Sequence, residues 1–249
     1  MKQTVSFLLL FISSMLSAEP GHATSYGATL EHLYDRYVAL PKSEDIGPLF
    51  QLDRELRSLV DEIHKNVSAQ QIPSLYKSKY ALIGLEIGHY SETIEYSGKL
   101  LVEAHRINPN SKYRKYTLFT EILGETPSHG LGEMPNIERA KQYLREYPMG
   151  PYAGDTHVFL GGFYSDLYQV LKGLIENPGG ERDYKYDCYS KYITSEPFKV
   201  QAPKAQSLAI ENFRNAKALG SSAKMAESMD SAIDSLKRGD VESWYWCGD

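Results

Sequence analysis

The stretch Gly88-His89-Tyr90-Ser91-Glu92-Thr93-Ile94-Glu95-Tyr96 decides how the middle of this chain is read. A glycine commonly ends a helix and turns the chain. Here an aromatic residue and then apolar residues at helical spacing follow the glycine. The pattern predicts a helix that starts near Pro73 and closes at Gly88, and a second that runs back from Tyr90 to about Arg106. Pro73 suits a first helical turn, and Pro109 keeps the residue before it out of the helix. A second stretch has the same character: Tyr147-Pro148-Met149-Gly150-Pro151-Tyr152-Ala153, then Leu160-Gly161-Gly162-Phe163-Tyr164. Gly88 and Gly124 each follow an apolar helical pattern and lie 36 positions apart, a period expected of stacked helix pairs.

Outward from there, almost every periodic segment has the helical period. Leu30, Leu33, Tyr34, Tyr37 and Val38 share one face of a predicted helix over 25–39, which Pro41 ends. The clearest stripe is Leu49, Leu52, Leu56, Leu59, Val60, Ile63 and Val67, with Asp53, Arg54, Glu55, Arg57, Asp61 and Glu62 around the other side. Asn110 or Ser111 can cap a helix that carries Tyr113, Tyr116, Leu118, Phe119, Ile122 and Leu123 and ends at Gly124. A loop at 125–135 follows, then a helix capped by Asn136 and running to Tyr147. The segment 152–175 is apolar on more than one side and is expected at the centre. The segment 177–200 holds two Pro, two Gly and four Tyr without a period and reads as an irregular loop. Helices over 203–218 and 222–238 flank Gly220. No alternating run is long enough for a useful strand, so the expected class is all-α.

The first 23 residues read as a cleavable leader. Lys2 is followed by an apolar core from Val5 to Leu16 and by Gly21-His22-Ala23, a small/x/small site, with Ala18 as a second cut. The apolar run is shorter than the ~20 residues a membrane span needs. The expectation is a periplasmic or secreted protein with no integral span and one domain over 24–249. The net charge is −5 with both signs scattered, which argues against nucleic acid, whose binders cluster basic residues. Tyrosine is abundant, 19 against 8 Phe and 2 Trp. Tyr suits half-buried positions with a packed ring and a wet hydroxyl, or an aromatic binding groove. Two cysteines, Cys188 and Cys247, are expected to pair in an oxidising compartment, tying the Trp244-Tyr245-Trp246 tail to the Tyr-rich loop. Closing that loop is worth ~4 kcal/mol in the chain-entropy model. Two free thiols are the alternative.

On these residues the chain resembles tetratricopeptide-type repeat proteins. GHYSETIEY is similar to the turn and second helix of that repeat, with Thr93 where a small Ala is usual, and Leu160-Gly161-x-x-Tyr164 is similar to its first helix. Tyr147-Pro148 through Leu160-Gly161 resembles a link found in exported bacterial scaffolds of the envelope-assembly type, with Gly150 in a Ser position. The resemblance covers 72–176. Leu100 departs from a usual Ala, and the last third carries no repeat consensus. It implies a right-handed stack of antiparallel helix pairs, with 203–249 as a C-terminal cap.

Chemistry is sparse. Glu86 and His89 lie three apart, like half of a di-iron motif, but no second such pair follows. His105, His129 and His157 are widely separated. Asp155 and His157 fall on different faces of a helix. Ser128-His129-Gly130-Leu131-Gly132-Glu133 matches no phosphate-loop spacing and reads as a recognition loop or a spacer. Asn66-Val67-Ser68 is a formal glycosylation acceptor. No catalytic constellation, cofactor site or metal site emerges. The leading expectation is therefore a scaffold that binds another protein, an envelope protein or one of its segments. Tyr76, Tyr80, Tyr113, Tyr116 and Tyr164 would line its concave face. The alternative is a carbohydrate or other small ligand stacked on Trp244 and Trp246, on or off an enzyme.

Overall fold

In the computed structural model the described residues are 20–41, 43–88, 92–123, 132–178, 186–220, 223–240 and 243–246. They are mostly helical, in agreement with the all-α expectation. The expected leader falls outside them except for 20–23, which open α1 (Pro20–Val38). Among the described residues, no helix is long and apolar enough to cross a membrane.

α2 (Gly47–Asn66) follows the stripe read from sequence, burying Leu49, Leu52, Leu56, Leu59, Val60 and Ile63. It packs on α1, where Leu30 and Leu33 are buried, and forms the spine of an N-terminal core. Burying one such aliphatic side chain is worth ~1.5–3 kcal/mol.

The stretch around Gly88 differs from its reading. In place of a helix over 73–88 there are a single turn, α3 (Ile72–Leu75), and a 3₁₀ segment over Ser78–Ile83. In place of a helix from Tyr90 there is a β-hairpin: β1 (Leu85–Ile87) pairs antiparallel with β2 (Ile94–Tyr96), and α4 (Lys99–Ile107) begins only afterwards. Two glycines enforce this. Gly84 has φ +80° and Gly98 φ +78°, a left-handed conformation that stops helix propagation. Gly84 also sits where a Cβ would lie 2.7 Å from the Lys99 Cβ. Leu85 and Ile94 point into the core, and Glu86 and Glu95 point out. Gly88 thus follows a strand and closes no helix. Gly124, its expected partner in the repeat, lies outside the described residues.

The helix expected over 110–123 is two single turns, α5 (Arg114–Thr117) and α6 (Thr120–Leu123). α7 (Ile137–Glu146) starts where expected: the Asn136 side chain accepts from Arg139 N at 3.1 Å. α8 (Ala153–Glu176) is the central helix. It packs along α10 (Phe198–Ala218), which begins five residues before its expected start, carrying Pro203 near its N-terminus. α10 in turn packs on α11 (Ala223–Arg238). Within the expected loop 177–200 lie one turn, α9 (Tyr186–Tyr189), and a 3₁₀ turn over Ser190–Tyr192. Finally β3 (Gly132–Glu133) pairs in parallel with β4 (Tyr245–Trp246), joining the tail to the segment before α7. Aromatic residues join the two halves: Phe50 of α2 stacks on Tyr113 at 4.5 Å and meets Tyr116 at 4.7 Å, and Tyr116 meets Tyr152 edge-on at 6.4 Å.

Candidate functional site

A concavity lies between the end of α1, the start of α2, the hairpin and α4. It consists of two adjoining depressions of about 790 Å³ and 680 Å³ that share Tyr37, Glu103 and Ile107. One is bounded by Glu86, Glu95, Tyr96, Lys99 and Arg106, the other by Val38, Leu40, Glu44, Asp45 and Pro48. The floor is apolar and partly open to solvent: Val38 is 60% exposed and Ile107 41%. Val38 ends the α1 stripe after the helix has run past the partner surface that covers Leu30 and Leu33. Pro41 then diverts the chain, and Val38 is left uncovered while Leu40 packs against the N-terminal core.

The polar rim is built in. Tyr37 donates its hydroxyl to the Glu103 carboxylate at 3.2 Å. Burial, and then the Glu103 charge, raise the Tyr37 hydroxyl above its ordinary range, so it stays a donor. Asp45 accepts from Gly47 N at 3.0 Å, fixing the entry to α2. Glu86 and Glu95 stand directly opposite each other across the hairpin. Like charges in that position are destabilising. The Lys99 ammonium turns to the Ala81 carbonyl at 3.2 Å.

Beneath the hairpin, Asp53 of α2 is buried and pairs with Arg57 at 2.9 Å, while the Tyr96 hydroxyl donates to it at 2.8 Å. Arg57 lies over the Tyr96 ring at 5.1 Å. Burial, followed by the Asp53 charge, drives the Tyr96 hydroxyl far up. This cluster anchors β2 to α2.

A second polar centre holds the tail. Asp166 of α8 is fully buried. Its carboxylate accepts from Trp244 N at 3.0 and 3.2 Å, from Tyr245 N at 2.9 Å and from the Tyr189 hydroxyl at 3.0 Å. The Tyr245 hydroxyl donates to the Phe159 carbonyl at 3.0 Å. Burial and the Asp166 charge push both tyrosine hydroxyls far up, so both remain protonated donors.

The expected tyrosines fall into three separate places. Tyr76 and Tyr80 meet edge-on at 6.3 Å, and Tyr80 is fully buried with its hydroxyl on Glu31. That leaves Tyr80 no surface to offer a partner. Tyr113 and Tyr116 flank Phe50, and Tyr164 packs on Phe163 at 5.0 Å in the other half of the molecule. No single face gathers all five. Trp244 lies with its ring centroid 5.0 Å from that of Phe213 and covers Gly162, so much of its ring is packed. The Trp246 side chain lies outside the described residues, as does Cys247. Cys188 is half-buried against the C-terminal core.

Thr117, His105 and Glu121 form a chain: His105 Nδ1 lies 3.1 Å from the Thr117 hydroxyl, and Nε2 bonds Glu121, which also pairs with Arg139 at 2.6 Å. The order is that of a hydroxyl–imidazole–carboxylate relay. Thr117 is fully buried, however, so no substrate atom can reach its hydroxyl. His157 bonds Asn212 of α10 at 2.8 Å. His89 and the loop 128–131 lie outside the described residues. Asn66 donates to the Glu62 carbonyl at 2.9 Å and to the Tyr26 hydroxyl at 3.1 Å. Among the described residues, no cluster of three or more His, Cys, Asp or Glu is placed to hold a metal ion.

Compared with known protein families, curated proteins and solved structures, the chain has no significant match. Tyr37 and Val38 stand in the α1 stripe and Glu86 near His89 in the sequence, and nothing there marks them as one site. The one signal was Val38 at the tail of an apolar stripe and next to a proline-bounded turn.

Proposed function

We propose that this protein is an exported helical scaffold that binds another protein, and that the groove over Tyr37 and Ile107 is the seat of binding. The observation that carries this is a pair of adjoining depressions with exposed Val38 and Ile107 in them, rimmed by polar groups such as the Tyr37–Glu103 pair. Such a surface fits a partner segment laid along it. The successive packing of α7 on α8, α8 on α10 and α10 on α11 supports a stack of helices in the C-terminal half as the rigid support. The resemblance to repeat scaffolds of envelope assembly supports a periplasmic or secreted site of action and an envelope protein as partner.

The Cys188–Cys247 disulfide belongs to this reading. Tyr189 and Tyr245, close in sequence to the two cysteines, both bond Asp166, so the loop and the tail converge there. Intact-mass measurement with and without reductant should show a gain of two free thiols only after reduction.

The test of function is crosslinking of the tagged mature protein in its native host, followed by mass spectrometry. One or two specific envelope proteins, lost in Ile107→Ser but retained in a surface change on α11 such as Glu227→Gln, are expected. Capture that is indifferent to Ile107→Ser would remove the groove from the reading. The aromatic tail offers less to a sugar, because the Trp244 ring is packed against Phe213.

A further inference from the structure

We infer that the groove reads the main chain of its partner. The Tyr37–Glu103 pair is a hydrogen-bond acceptor set between the two depressions. The partner segment is extended, seats a side chain in each depression and donates a backbone N–H to Glu103 between them. The inference rests on the protein-binding reading and adds how the segment is recognised.

Tyr37, Glu103 and Ile107 line both depressions, so they stand where the two meet. Tyr37 comes from the last turn of α1 and Glu103 from the middle of α4. The Tyr37 hydroxyl donates to one carboxylate oxygen, Oε2, at 3.2 Å, and so holds the Glu103 side chain across the junction. Among the described residues, nothing donates to the other oxygen, Oε1. A carboxylate accepts at about four lone-pair sites, so most of the capacity of Glu103 is open.

The pair therefore offers acceptors only. The one proton Tyr37 carries is directed at Glu103, and burial followed by the Glu103 charge keeps it on the hydroxyl. Both residues are half-buried. A segment that covers them takes Oε1 out of solvent, and an acceptor covered without a donor costs affinity. The segment must bring a donor to this point.

Position selects which donor. Apolar side chains flank the junction on both sides, Leu40, Pro41 and Pro48 on one and Val102 on the other. A segment anchored in both depressions carries its main chain across the junction, and every residue but proline brings an N–H there. In a helix those groups are already bound to carbonyls four residues back. In an extended chain they are free, and side chains that point to one side recur at even spacing.

The test selects short peptides from a random phage-displayed library on the full mature protein, with Ile107→Ser as counter-selection. A selected peptide is synthesised with each backbone N–H methylated in turn, and binding is read by fluorescence anisotropy. Its anchors should lie an even number of residues apart. Methylation at one position between them should weaken binding about five- to thirtyfold, the lower range for a hydrogen bond to a charged group because the site is half-exposed. On Glu103→Ala that position should lose its effect, because both changes remove the same bond. Glu103→Gln keeps an acceptor oxygen and should retain part of the effect. Glu227→Gln, on α11, should leave every value unchanged. A peptide that needs Ile107 but shows the same methylation pattern on the unchanged protein, Glu103→Gln and Glu103→Ala would overturn the inference and leave the protein-binding reading standing. If no peptide is enriched over Ile107→Ser, the inference falls; if partner capture also ignores Ile107→Ser, the protein-binding reading falls with it.

Discussion

Replacing Asp166 by Asn tests how the tail is held. The carboxylate is fully buried and takes hydrogen bonds from Trp244 N, Tyr245 N and the Tyr189 hydroxyl, all within 3.2 Å. Hydrogen bonds to a charged acceptor contribute ~1.5–3 kcal/mol each, and a buried donor left without a partner costs ~1–3 kcal/mol. Asn keeps the shape and one acceptor oxygen, but points an NH2 group at donors. One or two of the three donors then lose their partner. The donors share one carboxylate, so the losses do not simply add. A net destabilisation of ~2–5 kcal/mol is expected. For a chain of this size that lowers Tm by roughly 5–15 °C. The two tryptophans of the chain are both in the tail, so intrinsic tryptophan emission reports on the tail alone. Asp166→Asn should shift that emission to longer wavelength at temperatures where the far-ultraviolet circular dichroism is still native. The companion change Tyr189→Phe removes one donor and keeps the ring that stacks on Phe163 at 5.5 Å; it should cost ~1.5–3 kcal/mol and leave the emission in place, because the two backbone donors of the tail keep their acceptor. An Asp166→Asn protein with an unchanged Tm and unshifted emission would refute the idea that this carboxylate holds the tail.

Three further outcomes follow from local geometry. Gly161→Ala would place a Cβ within 2.6–3.0 Å of three Phe213 ring carbons, so α8 and α10 must part; the overpacking cost of ~1–3 kcal/mol should exceed the ~1 kcal/mol gained in helix propensity, whereas Gly173→Ala, with nothing within 4 Å, should stabilise by about 0.5–1 kcal/mol in denaturant titrations. Asn136→Ala removes the cap of α7 and should cost ~1 kcal/mol, read as a lower urea midpoint at unchanged slope. Glu31 is held at about 2 by hydrogen bonds from Lys77, then Lys79, then Tyr80, below its ordinary 4.5. A depressed carboxylate stabilises fully above its unfolded value and loses that contribution as pH falls through the folded one. Acid should therefore erode stability between about 4.5 and 2, and Glu31→Gln should flatten that limb of the Tm–pH curve; an unaltered limb would count against the Glu31 ion pairs.

Much of the helical framework is legible in the chain itself. The stripe from Leu49 to Ile63 places α2, Asn136 places the start of α7, and the apolar run after Tyr152 places α8, because each signal is contained within the element it specifies. The Gly88 stretch holds no such self-contained signal. Three-residue strands carry too few alternations to compete with a helical period, and the decisive residues are the flanking glycines. Gly84 and Gly98 adopt positive φ because the chain must turn back onto α2, where Asp53 receives Tyr96. Likewise, nothing near Asp166 in the sequence marks it as a hub. Its donors lie more than twenty residues away along the chain and reach it only when the tail folds across α8. The groove is of the same kind. Val38, Glu86, Glu95, Glu103 and Ile107 are ordinary surface residues of four elements, and only packing sets them around one hollow. The long helices α2, α7, α8 and α11 are written in local sequence, since backbone hydrogen bonding and apolar periodicity act over a few residues. The tertiary structure decided the hairpin, the tail anchor and the groove, since each is a contact between distant segments whose stability depends on burial that no single segment possesses.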